Sequence, residues 1–391
     1  MSLMRGATVV TFITACALAG CASTPGRDRP LDPVMATAPC ADGRTMVVST
    51  DTSEVALFEV APLGFRALLT QEGAKTKPLA DTILKSPPIA CSPDSRLVIA
   101  AGVSGDMIGW DIDPASVRFR VPIATGVTGV AFFPDGRSFM TAGPTARQWS
   151  TETGAAIGEF LPPGNAAATS VAISPDGGLV LVGTSSGEIV EFDAASARAV
   201  RTLKGHAAPV TALTFSPDGT AFASAAGRFD PRIWQRADGA PLPRRLTEVV
   251  GAQASLEQAG RETQALVVFA WLLGAAAGFR NVGAPTLGAP PLQSMSPMLE
   301  QAAKEVPRLC GTTIAYSPDG RFLAATANLS LLSGEFHVLL ADLTRAEGRV
   351  ISGIAGCSVA FTRDSKLLVT GGYGAPQLWN AETGQRIAGT N

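Results

Sequence analysis

Apolar and polar residues alternate in many short segments of this chain, and tight turns separate the segments. Residues 210–215 alternate in this way and end at Ser-Pro-Asp-Gly, residues 216–219. Alternating segments also follow such turns, as at 179–182 and 367–370. Because alternation with a period of two is typical of a half-buried strand, the pattern predicts antiparallel strands joined by tight turns.

The turns recur at a regular spacing. Ser-Pro-Asp-Gly occurs at 174–177, 216–219 and 317–320, and variants occur at 40–43, 92–95, 133–136 and 362–365. Their aspartates are Asp42, Asp94, Asp135, Asp176, Asp218, Asp319 and Asp364. A large aromatic follows 14 to 16 positions after six of them: Phe58, Trp110, Trp149, Phe192, Trp234 and Trp379. Four short strands in each such repeat make one propeller blade, so the seven turns predict an all-β, seven-bladed ring.

The dipeptides Trp110-Asp111, Phe192-Asp193 and Gly205-His206 resemble signatures of the WD40 repeat family. The resemblance covers about 34–247 and 311–391, and it implies a WD40-like β-propeller. Structural roles are implied for Trp110, Trp149, Trp379 and a buried hydrogen-bonded set, His206, Ser224 and Trp234. Arg228 stands where the family has an aspartate in that set.

The interval between Asp218 and Asp319 holds roughly 59 residues more than one blade needs, which predicts an insertion at 248–310 between blades five and six. A capping-box pattern at 255–258 and an uncharged run at 265–279 predict helices. The candidate partner-binding residues are Leu266, Phe269, Trp271, Leu272 and Phe279. A helix that is apolar on every side must be buried. A second insertion helix near 297–306, the lipid surface and a groove of a partner protein are the alternatives.

The N-terminus has the pattern of an export signal. Residues 1–20 carry one positive charge and then an apolar run of about 13 residues, too short to span a bilayer. The run ends at Leu18-Ala19-Gly20-Cys21, which resembles the lipobox of bacterial lipoproteins. The resemblance implies cleavage between Gly20 and Cys21 and a palmitate-containing lipid on Cys21, with 21–33 as a tether to a propeller at 34–391. Ala22-Ser23 after the cysteine implies sorting to the outer membrane.

Composition excludes several classes of function. There are 31 basic and 33 acidic residues, so nucleic acid is not an expected partner. With two histidines in the chain, no metal site and no cofactor are predicted. Residues 183–187 fit the G-x-S-x-G pattern of serine hydrolases, but they lie between two predicted strands rather than before a helix. We therefore expect a non-catalytic protein.

Four cysteines remain outside the signal and the lipid site: Cys40, Cys91, Cys310 and Cys357. Export permits disulfides, and four cysteines allow three pairings. Cys310 and Cys357 both precede the innermost strand of neighbouring blades, so they are the candidate disulfide. Cys91 occupies a repeat position held elsewhere by phenylalanine, which favours a small buried hydrophobe.

These features predict a lipid-anchored, non-catalytic scaffold that binds other proteins of the bacterial cell envelope. The expected location is the outer membrane, facing the periplasm. The alternative is a periplasmic propeller that binds a small ligand, sugar or peptide at the channel mouth. That alternative would need convergent polar or aromatic residues near 103–109, 184–188 and 371–376, where Gly, Ser and Ala predominate.

Overall fold

The computed structural model describes residues 34–50, 54–69, 88–101, 106–123, 126–227, 231–241, 313–328, 336–345, 347–354, 358–371 and 376–387. These residues form seven antiparallel sheets, and each sheet uses consecutive strands of the chain. We number the sheets as blades 1 to 7.

The first four blades have four strands each. Blade 1 contains β1 (Val34–Pro39), β2 (Thr45–Thr50), β3 (Val55–Val60) and β4 (Leu63–Leu68). Blade 2 contains β5 (Ile89–Cys91), β6 (Leu97–Ala101), β7 (Asp106–Ile112) and β8 (Ala115–Pro122). Blade 3 contains β9 (Gly129–Phe132), β10 (Ser138–Ala142), β11 (Ala146–Ser150) and β12 (Ala156–Phe160). Blade 4 contains β13 (Ala168–Ile173), β14 (Leu179–Thr184), β15 (Glu188–Asp193) and β16 (Ala199–Lys204).

The last three blades follow the same order. Blade 5 contains β17 (Val210–Phe215), β18 (Ala221–Ala226) and β19 (Arg232–Gln235). Blade 6 contains β20 (Ile314–Tyr316), β21 (Phe322–Asn328), β22 (Phe336–Asp342) and β23 (Glu347–Ile354). Blade 7 contains β24 (Val359–Phe361), β25 (Leu367–Thr370) and β26 (Gln377–Asn380). In blades 5 and 7 one isolated β-bridge lies where the other blades have a fourth strand. Trp234 pairs with Pro241 in blade 5, and Trp379 pairs with Arg386 in blade 7.

The first strand of every blade lies at the centre of the molecule. Each of these inner strands contacts the inner strand of the next blade, and β24 contacts β1. The sheets therefore close into a ring, and the predicted all-β, seven-bladed propeller is confirmed. We call the end where the inner strands begin the loop face. The opposite end is the turn face, formed by the turns at 40–44, 92–96, 133–137, 174–178, 216–220, 317–321 and 362–366.

One cluster of buried apolar side chains fills each of the seven interfaces between blades. The aromatic residue of each third strand lies in the cluster shared with the preceding blade: Phe58, Trp110, Trp149, Phe192, Trp234 and Trp379. Blade 6 has Ala341 at this position and fills its interface with leucine and alanine. The regular aromatics of the sequence are thus the contacts that stack one blade on the next.

Among the described residues, side-chain contacts join the two ends of the ring. Val34, Met46 and Phe58 of blade 1 pack in one cluster with Val369 and Leu378 of blade 7. Thr37 Oγ1 also donates to Ser358 Oγ at 3.1 Å across this interface. Side-chain contacts therefore hold blades 1 and 7 together.

The only helical element among the described residues is the 3₁₀ turn Pro163–Asn165. The helical insertion predicted at 248–310 lies outside the described residues, so the structure gives it no support. Within the described part of the chain, no helix has the length and apolarity needed to cross a membrane.

Candidate functional site

The turn face is built from one hydrogen-bond pattern. Ser174 Oγ donates to Asp176 Oδ1 at 2.5 Å, and the same carboxylate accepts the Gly178 N–H at 2.9 Å. Leu179 N–H donates to Ser174 Oγ at 2.9 Å. The same three bonds recur around Asp94, Asp218, Asp319 and Asp364. Each aspartate is thus committed to closing its own turn.

These bonds lower the pKa of several turn carboxylates, among them Asp176 and Asp218. The hydrogen bond from Ser174, the Gly178 N–H and Arg236 together hold the pKa of Asp176 far below its usual range. The hydrogen bond from the Ser216 hydroxyl also lowers the pKa of Asp218. A charged acceptor strengthens a hydrogen bond, so ionisation stabilises the turn.

Neighbouring turns contact each other around the ring. A Cβ added at Gly177 would lie 3.5 Å from Cδ of Pro134, the proline of the preceding turn. The same relation holds for Gly136 and Pro93, for Gly219 and Pro175, and for Gly320 and Pro217. Each of these glycines also has a positive φ, which a side chain would strain.

The three remaining turn contacts use side chains, and they complete the ring. Ser95 and Ser365 stand where other turns have glycine and adopt φ of 60° and 59°. Their hydroxyls accept the N–H of Asp42 at 2.8 Å and of Asp319 at 3.0 Å, one blade away. Between blades 7 and 1, Arg363 donates to the Ala41 carbonyl. All seven turns are therefore linked, which makes this face rigid.

A disulfide between Cys40 and Cys91 joins blades 1 and 2 at this face, with the Cα atoms 5.2 Å apart. Cys40 is the first residue of its turn, and Cys91 is the last residue of the next inner strand. The same two repeat positions hold Ser174 and Phe215 at the interface of blades 4 and 5. The interpretation of Cys91 as a small buried hydrophobe is therefore wrong. The pairing of Cys310 with Cys357 lies outside the described residues and stays a prediction.

His206, Ser224 and Trp234 come together in blade 5. His206 Nε2 and Ser224 Oγ lie 2.7 Å apart, and Trp234 Nε1 donates to the same hydroxyl at 2.7 Å. His206 is 8% exposed and Ser224 is fully buried. This arrangement links the loop before the inner strand to the middle of the blade, which is a structural role. Arg228 lies outside the described residues.

Two other tryptophans use an acceptor that the sequence analysis did not single out. Trp149 Nε1 donates to Thr141 Oγ1 at 2.9 Å, and Trp379 Nε1 donates to Thr370 Oγ1 at 3.0 Å. Thr141, Ser224 and Thr370 occupy the same place on their second strands. Trp110 has Ala100 at that place. The hydroxyl acceptors could have been predicted from the sequence, because a buried indole N–H needs a hydrogen-bond acceptor.

Basic side chains along the outer strands are paired with acids. Arg201 contacts both oxygens of Glu191, whose side chain is 3% exposed, and also donates to the Arg236 carbonyl of blade 5 at 2.7 Å. Arg147 pairs with Glu159 at 2.5 Å, and Lys204 pairs with Glu188 at 3.5 Å. These pairs tie strands and neighbouring blades together.

Blades 6 and 7 share a charged network. Arg321 contacts Asp342 at 2.8 Å and Glu382 at 3.2 Å. Burial alone would raise the pKa of Asp342, but hydrogen bonds from Arg321 and Thr344 lower that pKa to about 2. Arg321 also lies 4.6 Å from the ring centre of Phe322. The network therefore holds a buried carboxylate in its charged form.

At the loop face, residues with hydroxyl groups lie at or before the start of several inner strands. These hydroxyl groups donate to backbone carbonyls of the neighbouring blade. Thr169 Oγ1 and Ser170 Oγ both donate to the Val210 carbonyl of blade 5, at 2.6 and 3.0 Å. Thr128 Oγ1 donates to the Ala168 carbonyl of blade 4 at 3.4 Å. Residues 183–187 form the turn between β14 and β15, where Thr184 Oγ1 and Ser186 Oγ lie 2.9 Å apart. These bonds serve the fold rather than a ligand.

Several predicted site residues lie outside the described residues: Cys21, Gly20, Leu266, Phe269, Trp271, Leu272, Phe279, Cys310 and Cys357. The described residues hold no group of three or more His, Cys, Asp or Glu side chains placed to bind a metal ion.

Residues 197–234 match the model of the family described as WD domain, G-beta repeat. The match begins before the outer strand of blade 4 and ends at Trp234, so it spans one repeat unit around the His206–Ser224–Trp234 set. Comparison with curated proteins found no significant match. The fold and the match together define a seven-bladed β-propeller that carries a WD40 repeat, an architecture suited to protein interaction.

Proposed function

We propose that this protein is a non-catalytic, lipid-anchored scaffold that binds other proteins in the bacterial cell envelope. The observation that carries the proposal is the closed WD40-type ring, whose linked turns present many exposed groups on one rigid body. Rigid surfaces bind partners at a lower entropic cost than flexible ones. Loops and turns held by a stable ring are also where binding residues are commonly found.

The Cys40–Cys91 disulfide supports export. Disulfides form and persist in oxidising compartments such as the bacterial periplasm, and they are rare in the cytosol. The Leu18-Ala19-Gly20-Cys21 motif independently indicates export with a lipid on Cys21. Two unrelated features therefore favour the same location.

The direction of β1 supports an orientation on the membrane. The chain joins the ring at Val34, at the loop face, because β1 runs from that face to the turn face. A tether of residues 21–33 reaches at most about 45 Å when fully extended. A lipid on Cys21 would thus keep the loop face, where the tether joins the ring, within about 45 Å of the membrane.

Replacing Cys21 by alanine tests the anchor. We expect the variant to lose label from a palmitate analogue and to leave the membrane fraction, while Cys16→Ala, which changes a cysteine within the signal, should keep both properties. A Cys21→Ala protein that still incorporates the label would refute lipid attachment at this residue.

The apolar residues Leu266, Phe269, Trp271, Leu272 and Phe279 remain the candidate partner-binding residues of the insertion. Replacing 250–306 by a Gly/Ser linker should leave the propeller folded and remove the main interaction. Thermal unfolding and pull-down with the same protein measure the two properties separately. Loss of folding would make the insertion part of the core, and unchanged binding would exclude it as the site.

A further inference from the structure

Four exposed basic residues on the turn face occupy the same position of their repeats. Arg44, Arg96, Arg137 and Lys366 each come two residues after the turn aspartate, in blades 1, 2, 3 and 7. None of the four side chains forms a salt bridge with any residue that the structure describes. This sets them apart from the paired basic residues of the outer strands.

The turn does not require a basic side chain at this position. The backbone N–H of each residue closes the turn by donating to the aspartate Oδ1 at 2.9 to 3.1 Å. Gly178 and Thr220 hold the same position in blades 4 and 5 and make the same backbone bond. The turn therefore forms without the charge, although the charges of Arg96 and Lys366 also interact with the neighbouring Asp94 and Asp364.

The four residues form a continuous arc, which we call the basic arc: Lys366, Arg44, Arg96 and Arg137. The turns that carry them belong to consecutive blades, 7, 1, 2 and 3, and each contacts the next. The contacts are Arg363 with Ala41, Asp42 with Ser95, and Pro93 with the backbone at Gly136. The Cys40–Cys91 disulfide also fixes the two central blades of the arc. The backbone positions of the four residues are thus linked before a partner binds.

We infer that the basic arc docks an acidic segment of a protein partner, and this inference rests on the proposed scaffold function. Three of the four groups are guanidinium groups, which bind carboxylates through two parallel hydrogen bonds. The turn aspartates offset the charge of the arc, so binding depends on close contacts more than on long-range attraction. A membrane surface is disfavoured as the occupant because the chain joins its tether at the opposite face.

Charge substitution in the full lipid-anchored protein, held in a neutral detergent, tests this inference. The arc variant is Arg44→Gln/Arg96→Gln/Arg137→Gln, with the reversed-charge glutamate triple as a second, stronger variant. The matched control is Arg120→Gln/Arg147→Gln/Lys204→Gln, which removes the same charge from the outer strands. The probe is a fluorescently labelled oligo-glutamate peptide, followed by anisotropy, and vesicles containing phosphatidylglycerol are the second probe.

We expect the arc variant to bind the peptide at least about tenfold more weakly than wild type, and the control to bind it as wild type does. The glutamate triple should bind more weakly still. Equal binding by the wild type and arc variant, or no binding by wild type, would overturn the inference. So would vesicle binding that depends on the arc while peptide binding does not.

Proximity labelling in native membranes separates this inference from the scaffold proposal. If the arc variant keeps the neighbours of wild type, the arc is not the docking surface, although the scaffold function stands. If wild type labels no neighbours above an anchored control protein, the scaffold function itself fails.

Discussion

Removing the Cys40–Cys91 bond should cost about 4 kcal/mol of unfolding free energy. The two cysteines are 51 residues apart, and the chain-entropy relation gives this value for a loop of that length. The substitution to test is Cys40→Ala/Cys91→Ala. The bond also joins blades 1 and 2, and blade 1 packs against blade 7 where the ring closes, so its loss should weaken the ring near this closure.

A second variant separates the covalent bond from the packing. Cys40→Ser/Cys91→Phe places at this interface the pair found at the corresponding positions of blades 4 and 5. A serine at position 40 stands two residues before Asp42, and can donate to it as Ser174 donates to Asp176. We expect this variant to recover about 1 to 2 kcal/mol of the loss, one hydrogen bond together with added apolar burial.

Equilibrium denaturation with and without a thiol reductant measures these differences. Reductant should lower the stability of wild type to that of the alanine variant. The alanine variant itself reports any effect of reduction elsewhere in the chain. If it is as stable as oxidised wild type, the bond does not constrain the unfolded chain as argued. If the Ser/Phe variant is less stable than the alanine variant, the interface of blades 1 and 2 does not pack as the interface of blades 4 and 5 does.

Three further predictions concern the ring. His206→Ala should lower stability by roughly 1 to 3 kcal/mol through an unpaired buried partner, with partner binding unchanged in pull-down; a large binding loss without a stability change would instead make His206 a site residue. Arg321→Ala should lower the denaturation midpoint more at pH 7 than at pH 2, because Asp342 contributes its full stability above its usual pKa and loses it as the pH falls through about 2; an equal effect at both pH values contradicts this. Gly239→Ala should destabilise the protein more than Gly158→Ala, since the first has φ of 70° and its added Cβ would meet a leucine side chain at 2.6 Å, whereas the second meets nothing within 4 Å; equal melting temperatures would refute the reasoning.

The blades could be predicted because their signals are local. Each turn combines an aspartate with a residue of positive φ, five of the seven turns also have a proline, and alternating strands lie on both sides of each turn. The missing tryptophan of blade 6 did not affect the ring, since Ala341 occupies the aromatic position and leucines fill the interface. The hydroxyl acceptors Thr141 and Thr370 could have been found by aligning the second strands on Ser224.

The disulfide could have been predicted only by comparing positions in neighbouring repeats. Neither the turn position of Cys40 nor the strand position of Cys91, taken separately, indicates a disulfide partner. Alignment of the repeats places the two residues at one interface, because the first turn residue of a blade and the last inner-strand residue of the next blade meet there. Ion pairs such as Arg201 with Glu191 had no such signal, since they vary from blade to blade.

The same comparison explains why the basic arc had a predictable position but not a predictable role. The turn fixes its serine, aspartate and glycine positions by hydrogen bonds and backbone conformation, so these residues recur for structural reasons. The residue two positions after the aspartate contributes its backbone N–H and carbonyl, and its side chain varies: arginine in blades 1, 2, 3 and 6, lysine in blade 7, glycine in blade 4 and threonine in blade 5. In blade 6 this side chain, Arg321, pairs with Asp342 and Glu382. A position whose side chain the turn does not need, and that nonetheless carries charge on consecutive blades, is where a repeat protein can acquire a binding surface without losing its ring.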